Sequence, residues 1–104
     1  MNRLLIILLV TICYSNVYAQ QYSLLRGYVT DSSTTPLPGV YVRLQGGGGT
    51  VTDNQGKYEL RLQEGVHRIS FRYMGYKSQQ VDQLVDGNTA LNIVLYEDSD
   101  QLEA

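Results

Sequence analysis

Beyond residue 20 the sequence predicts an all-β domain, a seven-stranded antiparallel β-sandwich, and three observations carry that expectation. Apolar and polar residues alternate with period two in short runs, while helical periodicity is hard to find. The runs recur at a spacing of roughly 8 to 12 residues, with Gly, Pro, Asn or Asp marking a turn between most of them. There is no Trp, and Cys13 is the single cysteine, so the Cys, Trp, Cys framework of an immunoglobulin-type domain is missing. The sandwich is therefore expected to have another topology. An open sheet is the poorer solution because it would leave one apolar face in water.

The first run puts Leu25, Gly27 and Val29 on one face. A Ser/Thr/Pro-rich loop follows, and Pro38-Gly39 delivers it into a second strand, the proline fixing one backbone angle and the glycine tolerating a positive one. In that strand Val40, Val42 and Leu44 face inward, with Tyr41 and Arg43 outward. Gly46 to Gly49 reads as a flexible loop. Thr50 to Thr52 and Lys57 to Leu62 read as a hairpin about Asp53-Asn54-Gln55-Gly56, in which Asp53 and Asn54 accept main-chain hydrogen bonds and Gly56 takes the left-handed position. Tyr58, Leu60 and Leu62 then point to the core. After a turn at Glu64-Gly65, the alternation is cleanest at Ile69, Phe71 and Tyr73. Gly75 is expected to permit a bulge or a close backbone approach. Tyr76 to Val81 reads as a polar edge strand, Asp86-Gly87-Asn88 as a turn, and Leu91, Ile93 and Leu95 as the inward face of the last strand.

Residues 1–19 have a different character. Arg3 supplies a positive start, Leu4 to Ile12 form an apolar run, and Val17-Tyr18-Ala19 offers small residues where a signal peptidase reads them. This is the pattern of a cleavable secretory signal ending at Ala19; the run is too short for a membrane-spanning helix, which needs about 20 apolar residues. Cys13 raises the alternative of a lipoprotein signal, but Ile12 stands where a lipobox normally has Gly, Ala or Ser. The exported product would begin at Gln20, hold no cysteine, and fold by packing alone. A chain of that size buries roughly 60 to 65% of its unfolded surface, which supports one small core and so a single domain, 20–96. Residues 97–104 carry Glu97, Asp98, Asp100 and Glu103 and read as an acidic tail or linker.

Several function classes are disfavoured by the inventory. Loss of Arg3 leaves seven basic against ten acidic residues, scattered rather than clustered along the chain, which gives no nucleic-acid footprint. His67 is the sole histidine, so neither a catalytic triad nor a zinc site of paired His and Glu ligands can be assembled; no catalytic, cofactor-binding or metal residue is assigned. Asp53, Asn54 and Gly56 resemble part of a calcium loop, but Lys57 stands where a further acid would help and the turn reading is preferred. Gly46 to Gly49 has neither the Lys nor the Ser/Thr of a phosphate-binding loop. Seven of the nine tyrosines lie beyond residue 19. Tyr58 and Tyr73 share the phase of the core, whereas Tyr28, Tyr41 and Tyr96 point the other way and are the candidates for a contact face for sugars or protein. The edge at Tyr76 to Val81 is a second candidate, since its unpaired main chain can accept a partner strand.

Four segments together resemble a known family: Gly27-Tyr28-Val29-Thr30-Asp31, Pro36-Leu37-Pro38-Gly39-Val40-Tyr41-Val42, Thr52-Asp53-Asn54-Gln55-Gly56-Lys57-Tyr58 and Tyr73-Met74-Gly75-Tyr76. In this order they look like the carboxypeptidase regulatory-like domain. Its motif positions correspond here to Gly27, Pro38, Gly39, Asp53, Gly56, Tyr58, Gly75 and Tyr76. The resemblance implies a transthyretin-like sandwich without a cofactor, acting as an appendage to a larger protein. In SusC-like TonB-dependent outer-membrane receptors such a module follows the signal peptide and precedes a TonB-contacting segment, a plug and a barrel. That order implies export to the periplasm, association with the outer membrane, and a protein partner such as the plug, the barrel or a TonB-side component. Three readings stay open: the leading part of such a receptor, a free-standing periplasmic structural or carbohydrate-binding module, or an accessory domain of a carboxypeptidase, with a zinc peptidase domain encoded nearby. Ligand and oligomeric state are not assigned.

Overall fold

The computed structural model describes residues 21–98, so the expected signal segment, its expected cut after Ala19 and the expected acidic tail beyond Asp98 lie outside the described residues. All regular structure in this span is β: β1 (Tyr22–Thr30), β2 (Tyr41–Leu44), β3 (Gly49–Val51), β4 (Lys57–Gln63), β5 (Gly65–Arg72), β6 (Gln79–Val85), β7 (Thr89–Ala90) and β8 (Ile93–Val94). Among the described residues no helix is long and apolar enough to cross a membrane.

The strands form two sheets. Sheet I has the order β4-β1-β7 with β8 also on β1, and sheet II the order β3-β2-β5-β6. Their inner faces meet in one core: Leu25, Val29, Tyr58, Leu60, Leu62 and Ile93 come from sheet I, and Val42, Ile69, Phe71 and Val85 from sheet II. Tyr58 and Phe71 join the layers edge to face, with ring centroids 5.6 Å apart. The alternation is strict on β1, where every second residue from Ser23 to Val29 is buried, and on β4, where Tyr58, Leu60 and Leu62 are. A sandwich follows because each sheet has one such apolar face and the two faces can only leave water against each other.

The all-β sandwich is the expected fold, with four differences of detail. The first concerns the last strand. β7 and β8 both run parallel to β1, at Leu25↔Thr89 and Arg26↔Ala90 and then at Val29↔Ile93 and Thr30↔Val94, so they are halves of one strand and the sandwich is not wholly antiparallel. Parallel entry arises because the chain returns from the far edge of sheet II to the free side of β1. Secondly, β3 and β4 are not partners in one sheet: β3 pairs β2 and β4 pairs β1, so the Asp53–Gly56 turn carries the chain between layers. The ladder that does form a hairpin is β2–β3, and Gly46, Gly47 and Gly48 make its turn at φ +97°, +120° and +86°, in place of the expected loop. Thirdly, the edge strand begins at Gln79, not Tyr76, and extends to Val85; its bounds follow the seven-pair register with β5, from Gly65↔Val85 to Phe71↔Gln79. Finally, Gly75 makes no bulge. It sits at φ +84° in a turn closed by Tyr76 N donating to Tyr73 O, and a side chain there would meet open space.

Candidate functional site

The sequence motifs turn out to be structural joints. Gly27 lies in the middle of β1, where an added Cβ would stand 1.8 Å from the Leu91 carbonyl oxygen. That carbonyl accepts the Tyr58 hydroxyl at 2.5 Å, and the following Asn92 Oδ1 accepts Tyr28 N at 3.0 Å. Leu91 and Asn92 separate β7 from β8, so the gap in the last strand is filled by a glycine, a tyrosine and an asparagine acting together. Asn88 Oδ1 likewise accepts Leu24 N. Burial pushes the Tyr58 hydroxyl pKa well above the ordinary tyrosine value, because the phenolate would be desolvated.

Asp53 Oδ1 accepts both Gln55 N and Lys57 N at 2.9 Å, and Gly56 follows at φ +75°. Gly56 O accepts Val29 N, which fastens this turn to the end of β1. Pro38 leads into Gly39 at φ +83°, whose N–H donates to Thr52 O. Thr52 is buried, and its hydroxyl accepts Val40 N while donating to Leu37 O. Tyr76 packs its ring 5.4 Å from that of Tyr73 and bridges to Glu97. Thr52, Asn88 and Asn92 escape sequence reasoning, since each acts on residues distant in the chain.

The tyrosines expected to form one contact face are exposed but not together. Tyr28 stands on the outer face of sheet I, among Arg26, Lys57 and Asn92, whereas Tyr41 stands on the outer face of sheet II with the whole core between them. Tyr96 follows β8, its carbonyl accepting Lys77 N. A single Tyr28/Tyr41/Tyr96 surface is ruled out by the two-layer geometry. His67 Nε2 lies 2.6 Å from Gln63 O, and among the described residues no three His, Cys, Asp or Glu side chains gather as a metal site would require.

The residues that do converge are on the outer face of sheet II. Register sets Arg43 opposite Ser70, Ser70 opposite Gln80, Tyr41 opposite Arg72 and Arg68 opposite Asp82. Ser70 therefore has Arg68 and Arg72 on either side along its own strand and Arg43 across from it. Arg68 is engaged with Asp82 through two contacts, 2.8 and 3.3 Å, which hold the carboxyl below and the guanidinium above their ordinary pKa values. Arg43 and Arg72 are exposed, and no carboxylate stands within ion-pair distance of either among the described residues. Arg43, Arg68, Ser70, Arg72, Ser78 and Gln80 line an open concavity of about 480 Å³. A neighbouring one of about 520 Å³ continues past Arg72 to Tyr41 and the almost fully exposed Met74. The outward parity of these arginines is readable in the sequence; the strand pairing that gathers them is not.

Comparison with known proteins gives a family and a fold. The profile of the CarboxypepD_reg-like domain matches residues 25–104. This family is a non-catalytic, regulatory-like β-sandwich domain. No curated protein sequence matches the chain. Among solved structures, a chain of a type II cohesin–X-dockerin complex from Acetivibrio cellulolyticus is similar at TM-score 0.63 and 19% identity, over 72% of this chain and 58% of that one. Hydroxyquinol 1,2-dioxygenase from Pseudomonas putida is similar at TM-score 0.69 and 9% identity, over 79% and 58%. A DUF3823 family protein from Parabacteroides merdae is similar at TM-score 0.60 and 18% identity, over 76% and 48%. At these identities the likeness is one of fold, and in each case the matched region is under two-thirds of the other chain's length.

Proposed function

The chain belongs to the CarboxypepD_reg-like family, and from that membership we propose that it is a non-catalytic, exported interaction module, the N-terminal periplasmic domain of a TonB-dependent outer-membrane nutrient receptor. The observation that carries the proposal is the placement of the family match, which begins at residue 25, just behind a leader-like stretch at 1–19. The geometry supports a binding role over a chemical one. The polar side chains of the motifs are engaged in turns and strand joints, and Arg43 and Arg72, without acidic partners, lie on a broad, open sheet face. A module of this kind acts by presenting a surface to another protein, with the receptor's plug, barrel or TonB-side component as partner.

The test is to read the genomic sequence past the codon for Ala104 and to determine the amino terminus of the exported product. A downstream hydrophobic TonB-contacting segment, plug and barrel, with a mature chain starting at Gln20 in the periplasm, is the expected result. A verified stop codon with no receptor encoded nearby would overturn the receptor placement in favour of a free-standing periplasmic structural or carbohydrate-binding module. Retention of residues 1–19 in the cytoplasm would overturn export.

A further inference from the structure

We infer that the outer face of sheet II is a docking surface for an extended, acidic segment of a partner protein, with Arg43 and Arg72 receiving two of its carboxylates and Ser70 lying between them. This inference rests on the reading of the chain as an interaction module and names the chemistry of its partner.

The argument begins with an electrostatic cost. Arg43 and Arg72 occupy diagonal positions on neighbouring antiparallel strands, which places their Cα atoms about 7 to 8 Å apart. Like charges so placed repel, and nothing in the packing requires them, since both side chains are exposed. Across the whole chain acids outnumber bases, yet the acids that would neutralise this face stand elsewhere: Asp31, Asp53, Glu64, Asp86, Glu97 and Asp98 all lie outside the strands. The one acid on the face, Asp82, is already engaged by Arg68. What remains is a positive concavity with a hydroxyl at its centre and the Gln80 amide at its margin. Local rules broken without a structural return are the signature of a binding surface.

The spacing and surroundings favour a polypeptide. Alternate side chains on one face of an extended strand are about 7 Å apart, close to the separation of the two arginines. Gln79 and Gln80 of β6, the exposed edge of sheet II, line the same concavity, so main-chain hydrogen-bonding groups lie beside the charges. A polysaccharide would want a row of aromatic rings to stack upon, and the strands of this face present a single one, Tyr41.

The test follows the arginine Nε–Hε signals of the nitrogen-15-labelled full chain by NMR during titration with an end-blocked peptide, Ser-Glu-Thr-Glu-Ser. The signals of Arg43 and Arg72 should move while those of Arg26 and Arg61 on the opposite sheet stay in place, and the Gln analogue of the peptide should move neither pair. The double variant Arg43→Gln/Arg72→Gln should bind about tenfold more weakly, melt no lower than the parent, and contrast with Arg26→Gln, which should bind as the parent does. Unchanged affinity in the double variant, or equal movement of Arg26 and Arg61, would overturn the site. Movement of the Arg43 and Arg72 signals by oligogalacturonate at lower concentrations than by the peptide would overturn the choice of a protein partner. Either of these results leaves the receptor placement to stand or fall on the genomic test.

Discussion

The two sheets hold their polar side chains to different purposes. In sheet I the third strand is broken at Leu91 and Asn92, and the break is closed by Tyr58 and Asn92 together with the missing side chain of Gly27, while Asn88 secures Leu24 N just ahead of β7. Two of its three outward cations are engaged as well: Lys57 lies 3.6 Å from Glu59, and Arg61 stands 5.2 Å over the Tyr22 ring, while Arg26 stands opposite Glu59 in the β1–β4 register. Sheet II is a continuous antiparallel ladder, four pairs between β2 and β5 and seven between β5 and β6, which satisfies the main chain of its inner strands. Its outer side chains are thereby released from structural work, and Arg43 and Arg72 remain without acidic partners. The comparison teaches that regular pairing in one layer leaves a surface available for recognition, while irregular pairing in the other consumes several of its polar groups in stability.

The sharpest way to break this contrast is Gly27→Ala. The new methyl would enter the space of the Leu91 carbonyl, which is backbone and cannot swing aside. The expected loss is at least about 4 kcal/mol, read as a collapse of the urea midpoint. Gly75→Ala is the matched control: it has room for the methyl but an unfavourable φ of +84°, so it should cost only about 1 kcal/mol.

Tyr58→Phe comes next, at about 1 to 3 kcal/mol, because the Leu91 carbonyl loses its hydroxyl donor. It should also alter the alkaline limb of stability. The Tyr58 pKa is raised in the fold by desolvation, so its contribution is full below the unfolded tyrosine value near 10 and is lost as pH rises towards the folded value. Urea unfolding at pH 8 and above pH 10 should show the parent weakening more steeply than the Phe variant. Asn92→Ala, which removes the acceptor for Tyr28 N, should cost about 1 kcal/mol in the same assay.

The smallest effects belong to sheet II. Arg43→Gln or Arg72→Gln should change stability by no more than about 0.5 kcal/mol, since neither group supports the fold. Asp82 titrates below the ordinary aspartate value chiefly because Arg68 donates to it; Arg68→Gln should return that pKa to normal in an NMR titration. The associated stability is present above the unfolded pKa and is lost as pH falls through the folded one, a slight acid-side effect for so exposed a pair.

Most inner residues were legible as alternation alone: Leu25, Val29, Val42, Leu60, Ile69 and Phe71 all lie where their parity puts them. The Asp53–Gly56 turn and the Pro38-Gly39 entry were equally legible, because their chemistry is local to four or five residues. Val85 and Leu37 were missed, one hidden behind the polar Gln79 to Gln83 stretch and the other inside a loop, and both are buried only because distant strands cover them.

What the sequence determined by itself was therefore which segments are strands, which face of each is apolar, and where the chain turns, since these depend on neighbours within a few residues. The tertiary structure alone decided that β3 and β4 part into different layers, that the last strand runs parallel to β1, and that Tyr28 and Tyr41 face opposite ways. It also brought Arg43, Ser70 and Arg72 side by side. Period-two alternation assigns a residue to the inside or the outside of a sheet but carries no information on which strand becomes its neighbour; that choice is made by register and by which apolar faces can close on one another.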